Sequence, residues 1–74
     1  MSMHTNSEIR ITLNGQEKTV SQNNVLSDLL SQYNLSSDDT VIEANGVIIK
    51  KEEYARVGVH SGDVIELIRF VGGG

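Results

Sequence analysis

Two Asn-Gly pairs, Asn14-Gly15 and Asn45-Gly46, constrain this chain more than any other feature. A two-residue hairpin turn that suits the twist of its strands needs positive φ at both central residues, and Asn followed by Gly meets that need at least steric cost. Each pair lies between runs that read as strands. Before the first pair, Ile9, Ile11 and Leu13 alternate with Arg10 and Thr12, the period-two pattern of a half-buried strand. Gln16 to Val20 reads as its returning partner. Before the second pair, Thr40 to Ala44 reads as a strand, and Val47 to Ile49 as a short return. Between the hairpins, Val25, Leu26, Leu29, Leu30 and Tyr33 fall at helical spacing. They put one apolar stripe on a helix of about 9 to 11 residues. Asn24 or Asn23 is expected to cap its start, and Asp28 suits the dipole there. Asn34 is expected to stop it, with Leu35 folding back onto the core.

Beyond the second hairpin, Lys50 to Arg56 is charged, with Tyr54 and Ala55 as apolar anchors for one helical turn. His60-Ser61-Gly62-Asp63 reads as a turn, and Val64 to Val71 as the longest strand. Several loop residues precede that strand, so it cannot join its predecessor through a tight hairpin. The economical packing puts it mid-sheet, beside the first strand and parallel to it, with the helix across one face. That is an α+β chain with the mixed sheet of the β-grasp, or ubiquitin-like, fold. The expected organisation is a disordered segment over 1–7, a β-grasp domain over 8–71 and a flexible glycine tail over 72–74.

Seventy-four residues allow one small domain, and the absence of cysteine excludes a disulfide, a thiolate metal site and a cysteine nucleophile. A net charge of −4 argues against partners such as nucleic acid or an anionic membrane, which call for a basic surface. No apolar run reaches the roughly 20 residues of a membrane span, and Met1 to Glu8 lacks the apolar stretch of a signal peptide. The expected setting is the cytoplasm.

Enzyme chemistry has little support. His60, Ser61 and Asp63 include triad residue types, but neighbours in one tight turn do not form a relay. Gly62 supplies the positive φ there, and Ser61 and Asp63 supply local hydrogen bonds. His4 and His60 lack metal-ligand spacing, so no metal is expected. Glu52-Glu53 beside Lys50-Lys51 reads as solvated surface. No helix follows the glycines to make a phosphate site.

The tail is the feature that remains. Gly72, Gly73 and Gly74 follow an apolar strand directly. A terminal glycine has an unhindered carboxylate, and residues without Cβ can enter a narrow channel. Fully extended, Val71 to Gly74 reaches roughly 14 Å. Such a tail can deliver a carboxylate into another protein's active site.

Three segments resemble the ThiS family of sulfur carrier proteins. They are Val41-Ile42-Glu43-Ala44-Asn45-Gly46-Val47-Ile48, then Glu53-Tyr54, then Ser61-Gly62-Asp63-Val64-Ile65-Glu66-Leu67-Ile68-Arg69-Phe70-Val71-Gly72-Gly73-Gly74. The likeness extends from about Ile9 to Gly74, and its most specific part is the Gly-Asp turn, the Val-Ile-Glu strand and the Phe-Val-Gly-Gly-Gly end. The family often has Val-Pro-Arg and a Trp where this chain has Ile49-Lys50-Lys51 and Tyr54. Tyr54 can fill the packing role of that Trp. The resemblance implies that Gly74 is adenylated with ATP by a separate E1-like, ThiF-type enzyme. A persulfide sulfur from a sulfurtransferase or cysteine desulfurase then replaces AMP. The Gly74 thiocarboxylate donates its sulfur to a ThiG-type thiazole synthase in thiamin biosynthesis. The chain itself is then not an enzyme and holds no cofactor. Molybdopterin-synthase small subunits share the fold and the Gly-Gly end, so a carrier for molybdopterin synthesis is the alternative. A ubiquitin-like modifier conjugated through Gly74 is another.

Alternation along the last strand predicts where partners dock. Glu66 belongs outside, so Ile65 and Leu67 face the helix. Ile68 and Phe70 then lie on the open sheet face beside Arg69 and Val71, and these four are the candidate partner-binding residues. The competing reading has Met3 or Leu13 covering them, or the face simply apolar without a partner. Arg69 is expected to pair with an acidic partner or with Glu43.

Overall fold

In the computed structural model, which describes residues 8–71, both Asn-Gly pairs form the expected turns. Asn14 and Gly15 have φ of 49° and 82°, and Asn45 and Gly46 have φ of 53° and 85°. A larger side chain is strained in that region, whereas Asn tolerates it and Gly is free of the penalty. The first turn joins β1 (Glu8–Leu13) to β2 (Gln16–Ser21), and the second joins β3 (Thr40–Ala44) to β4 (Val47–Ile48). The last strand, β5 (Val64–Arg69), sits mid-sheet in the order β2-β1-β5-β3-β4. It runs parallel to β1, with Thr12 beside Val64, and antiparallel to β3, with Val41 opposite Ile68. The expected β-grasp arrangement is the one observed. The segments 1–7 and 72–74, expected to be disordered and flexible, lie outside the described residues.

The helix α1 (Leu26–Gln32) covers one face of the sheet. Its Leu26, Leu29 and Leu30 bury against Ile11, Leu13, Val20, Ile42, Ile65 and Leu67, with Tyr54 and Val59 closing the side. Burial of each such aliphatic side chain stabilises the fold by about 1.5–3 kcal/mol relative to exposure.

The helix is shorter than its apolar stripe, and its start differs from expectation. The N-cap is Val25, not Asn24 or Asn23. Val25 is extended and bridges to Gly58, which holds it out of the helix. Valine has no side-chain acceptor, so only the returning half of a capping box forms. The Asp28 carboxylate accepts the Val25 N–H at 2.8 Å. The far end follows expectation: Asn34 has φ of 57°, and the Leu35 and Asn34 N–H groups donate to the Leu30 and Ser31 carbonyls. That is a Schellman motif with Asn in place of the usual glycine.

Tyr54 is more than an apolar anchor. It follows a single 3-10 turn over Lys51–Glu53, and its ring is buried. Its hydroxyl accepts the Ile42 N–H at 3.1 Å and lies 3.4 Å from the Thr40 carbonyl. β4 is too short to satisfy that N–H itself. The Ile49 N–H donates to the Ile42 carbonyl, and the phenol supplies the other half of the pair.

Candidate functional site

The candidate site is the end of β5 that leads into the tail. Three Asx side chains on neighbouring turns fix this strand. Asn45 accepts the Val64 N–H at 2.9 Å and donates to Asp63 at 3.0 Å. Asn14 accepts the Leu67 N–H at 2.8 Å, standing where β1 would have placed a main-chain carbonyl had it not turned back. The two turn asparagines therefore serve twice, once through φ and once through the side chain. Asp39 holds the last residues: its carbonyl accepts the Phe70 N–H at 2.8 Å, and its carboxylate lies 3.5 Å from the Arg69 guanidinium. Arg69 thus pairs with Asp39 and not with Glu43. In the register, Arg69 stands opposite Thr40, the residue after Asp39, whereas Glu43 stands opposite Glu66.

β5 was expected to run to Val71 but ends at Arg69. β3 begins at Thr40, so no strand remains to pair with Phe70 and Val71 beyond the single Asp39 bond.

Alternation along β5 divides its side chains as the pattern predicts. Ile65 and Leu67 are buried against the helix layer. Ile68 is 38% exposed, Phe70 55% and Val71 89%. Leu13 does not cover them, because it belongs to the buried layer on the other face. Met3 lies outside the described residues. Two apolar neighbours were missed in the sequence. Val41 lies directly across from Ile68, and exposed Ile48 pairs with Glu43 on the same face. The signal for Val41 was its alternation with inward Thr40 and Ile42. The patch is bordered by Glu43 and Glu66, which stand opposite each other across the ladder. Like charges so placed oppose pairing, which leaves a negative border fit to meet a basic side chain.

The remaining sequence candidates keep their structural roles. In the His60-to-Asp63 turn, the Asp63 carboxylate accepts the His60 main-chain N–H at 2.8 Å, and Gly62 has φ of 87°. The imidazole is largely exposed, with Nδ1 3.9 Å from Asp63. Among the described residues no cluster of His, Asp or Glu could hold a metal ion, and no helix is long and apolar enough to cross a membrane. Gly72, Gly73 and Gly74 lie outside the described residues.

Against known proteins, the chain matches the ThiS family over residues 5–74. It is 40% identical over 65 residues to the sulfur carrier protein ThiS of Bacillus subtilis, covering 86% of this chain and 98% of that one. It is also 33% identical over 66 residues to a thiazole synthase of Paramagnetospirillum magneticum; the match covers 89% of this chain but only 20% of that longer protein. The crystal structure of the thiamine biosynthesis protein ThiS from Geobacter metallireducens superposes with a TM-score of 0.76 at 29% identity, covering 89% of this chain and 100% of that one.

Proposed function

This chain belongs to the ThiS family, the sulfur carrier proteins of thiamin biosynthesis, and from that premise we propose that Gly74 is the residue that carries the sulfur. A free carboxylate is a poor acyl donor. A Gly74 oxygen attacks the α-phosphorus of ATP on an E1-like partner, and pyrophosphate leaves. A persulfide sulfur, supplied by a sulfurtransferase or cysteine desulfurase, then attacks the acyl carbon, and AMP departs with the bonding pair. A thiol cleaves the resulting sulfur–sulfur bond and is itself oxidised to a disulfide, which leaves the thiocarboxylate. Tethering the sulfur to a docked domain raises its effective concentration at the acceptor. The thiazole synthase that contains a segment similar to this chain supports thiazole synthase as that acceptor. Catalysis belongs to the partners, and this chain contributes the terminus and the docking face. The cytoplasm, where ATP and thiols coexist, is the setting.

The observation that carries this reading is the apolar patch of Val41, Ile68 and Phe70 at the point where β5 hands over to Val71 and the glycines. Exposed apolar clusters of this kind on small domains mark interfaces. Ile68, Arg69, Phe70 and Val71 are the docking residues in this proposal, with Gly72 and Gly73 as the slender lead-in to Gly74. The test is a chain extended by one residue after Gly74. The extended chain is expected to take up no sulfur from the activating enzyme, ATP and sulfur donor that load the original. Equal loading of both chains would remove Gly74 from the chemistry.

A further inference from the structure

The main-chain edge of β5 is half open. The Asn45 N–H bonds the Val64 carbonyl and the Phe70 N–H bonds the Asp39 carbonyl, so even-numbered residues of β5 direct their amides toward β3. Odd-numbered residues face the other way, as the Asn14 N–H to Ile65 carbonyl and Leu67 N–H to Asn14 Oδ1 bonds confirm. β1 turns back at Asn14, and its pairing with β5 ends at Leu13 beside Ile65. Past Leu67, the Leu67 carbonyl and the Arg69 N–H therefore face a vacant strand position, with no partner among the described residues. At that position lies a notch of about 190 Å³, lined by Leu13, Asn14, Gln16, Lys18, Tyr33, Leu35 and Leu67. Lys18 is half-buried there, with no carboxylate within ion-pair distance among the described residues.

We infer that this edge receives an extended strand from the adenylating partner. One apolar side chain of that strand fills the notch, and one Asp or Glu meets Lys18. Three observations converge on that occupant. The open amide and carbonyl match a β-strand's hydrogen bonding. The notch is apolar on its Leu13, Leu35 and Leu67 side, and its one charged group is a cation. The open Arg69 N–H also lies only two residues before Val71 in the chain, so a partner that handles Gly74 is brought next to this edge. The inference rests on the proposed delivery of Gly74.

Proline at position 69 provides the test. Arg69 and Thr40 are a non-hydrogen-bonded pair in the β3 ladder, so Arg69→Pro removes the outward amide without breaking a ladder bond, although it also removes the guanidinium and fixes φ at about −65°. Arg69→Ala controls for the guanidinium and its Asp39 contact. Binding of a ThiF-type adenylating enzyme is measured by titration calorimetry, and sulfur uptake by intact mass. Arg69→Pro is expected to weaken binding at least tenfold beyond Arg69→Ala, and Lys18→Glu to weaken it at least fivefold. Equal affinities for the proline and alanine variants would overturn the inference. If Arg69→Pro fails to fold, unchanged binding by Lys18→Glu overturns it instead. Failure of the Gly74 chemistry would register separately, as no sulfur uptake by the unaltered chain despite binding.

Discussion

Replacing Tyr54 by Phe removes one oxygen from a site where the main chain depends on it. The ring keeps its packing, so no cavity forms. The Ile42 N–H, now held by the hydroxyl at 3.1 Å inside the core, loses its acceptor. An orphaned buried N–H costs about 1–3 kcal/mol. The second contact, at 3.4 Å to the Thr40 carbonyl, is long and adds little. A loss near 2 kcal/mol lowers Tm by about 8 to 16 °C in a domain of this size. Urea denaturation followed by circular dichroism measures it, with the denaturant slope expected to stay constant because the surface exposed on unfolding is the same. A loss under about 0.5 kcal/mol would mean that the amide finds another partner at no cost and that the Tyr54 hydroxyl is not its required acceptor.

Other outcomes follow from the same contacts. Asn14→Gly keeps the turn's positive φ but removes the acceptor for the Leu67 N–H; it is expected to destabilise by about 1 kcal/mol in urea unfolding, although glycine suits the turn. Phe70→Asp is expected to cost little stability and Ile68→Asp, opposite Val41 and on the face of Glu66, about 1–2 kcal/mol without unfolding the domain, while both sharply slow sulfur loading, read by thermal melts and intact mass. Normal loading of either folded variant would move the docking face elsewhere. Glu66→Gln relieves the repulsion with Glu43 and is expected to raise stability by about 0.2–1 kcal/mol while weakening binding of the adenylating enzyme.

The strands, both hairpin turns and the central parallel position of β5 were legible because each rests on a local rule. Alternation, Asn-Gly chemistry and the impossibility of a tight hairpin before Val64 leave few arrangements. The exposure of Ile68 and Phe70 was legible for the same reason, since a period of two fixes the faces once Glu66 is placed outside. What escaped depends on tertiary contact. Val25 took the cap position because Gly58 bridges to it, and no pattern within the helix signals that contact. Arg69 met Asp39 because the β3–β5 register brings the residue before β3 to the end of β5. The extra duties of Asn14, Asn45 and the Tyr54 hydroxyl share one cause. Short partner strands leave amides of β3 and β5 without a main-chain acceptor, and nearby side chains supply it.

In the proposed function the final residue, Gly74, is loaded with sulfur. Incubating the chain with the adenylating enzyme, ATP and a persulfide donor, then fragmenting it in a mass spectrometer, tests this directly. The prediction is exchange of one oxygen for one sulfur, located at Gly74 and dependent on ATP. An unchanged mass under conditions where the enzyme turns over ATP, or a stable amide link from Gly74 to a lysine of another protein, would contradict it.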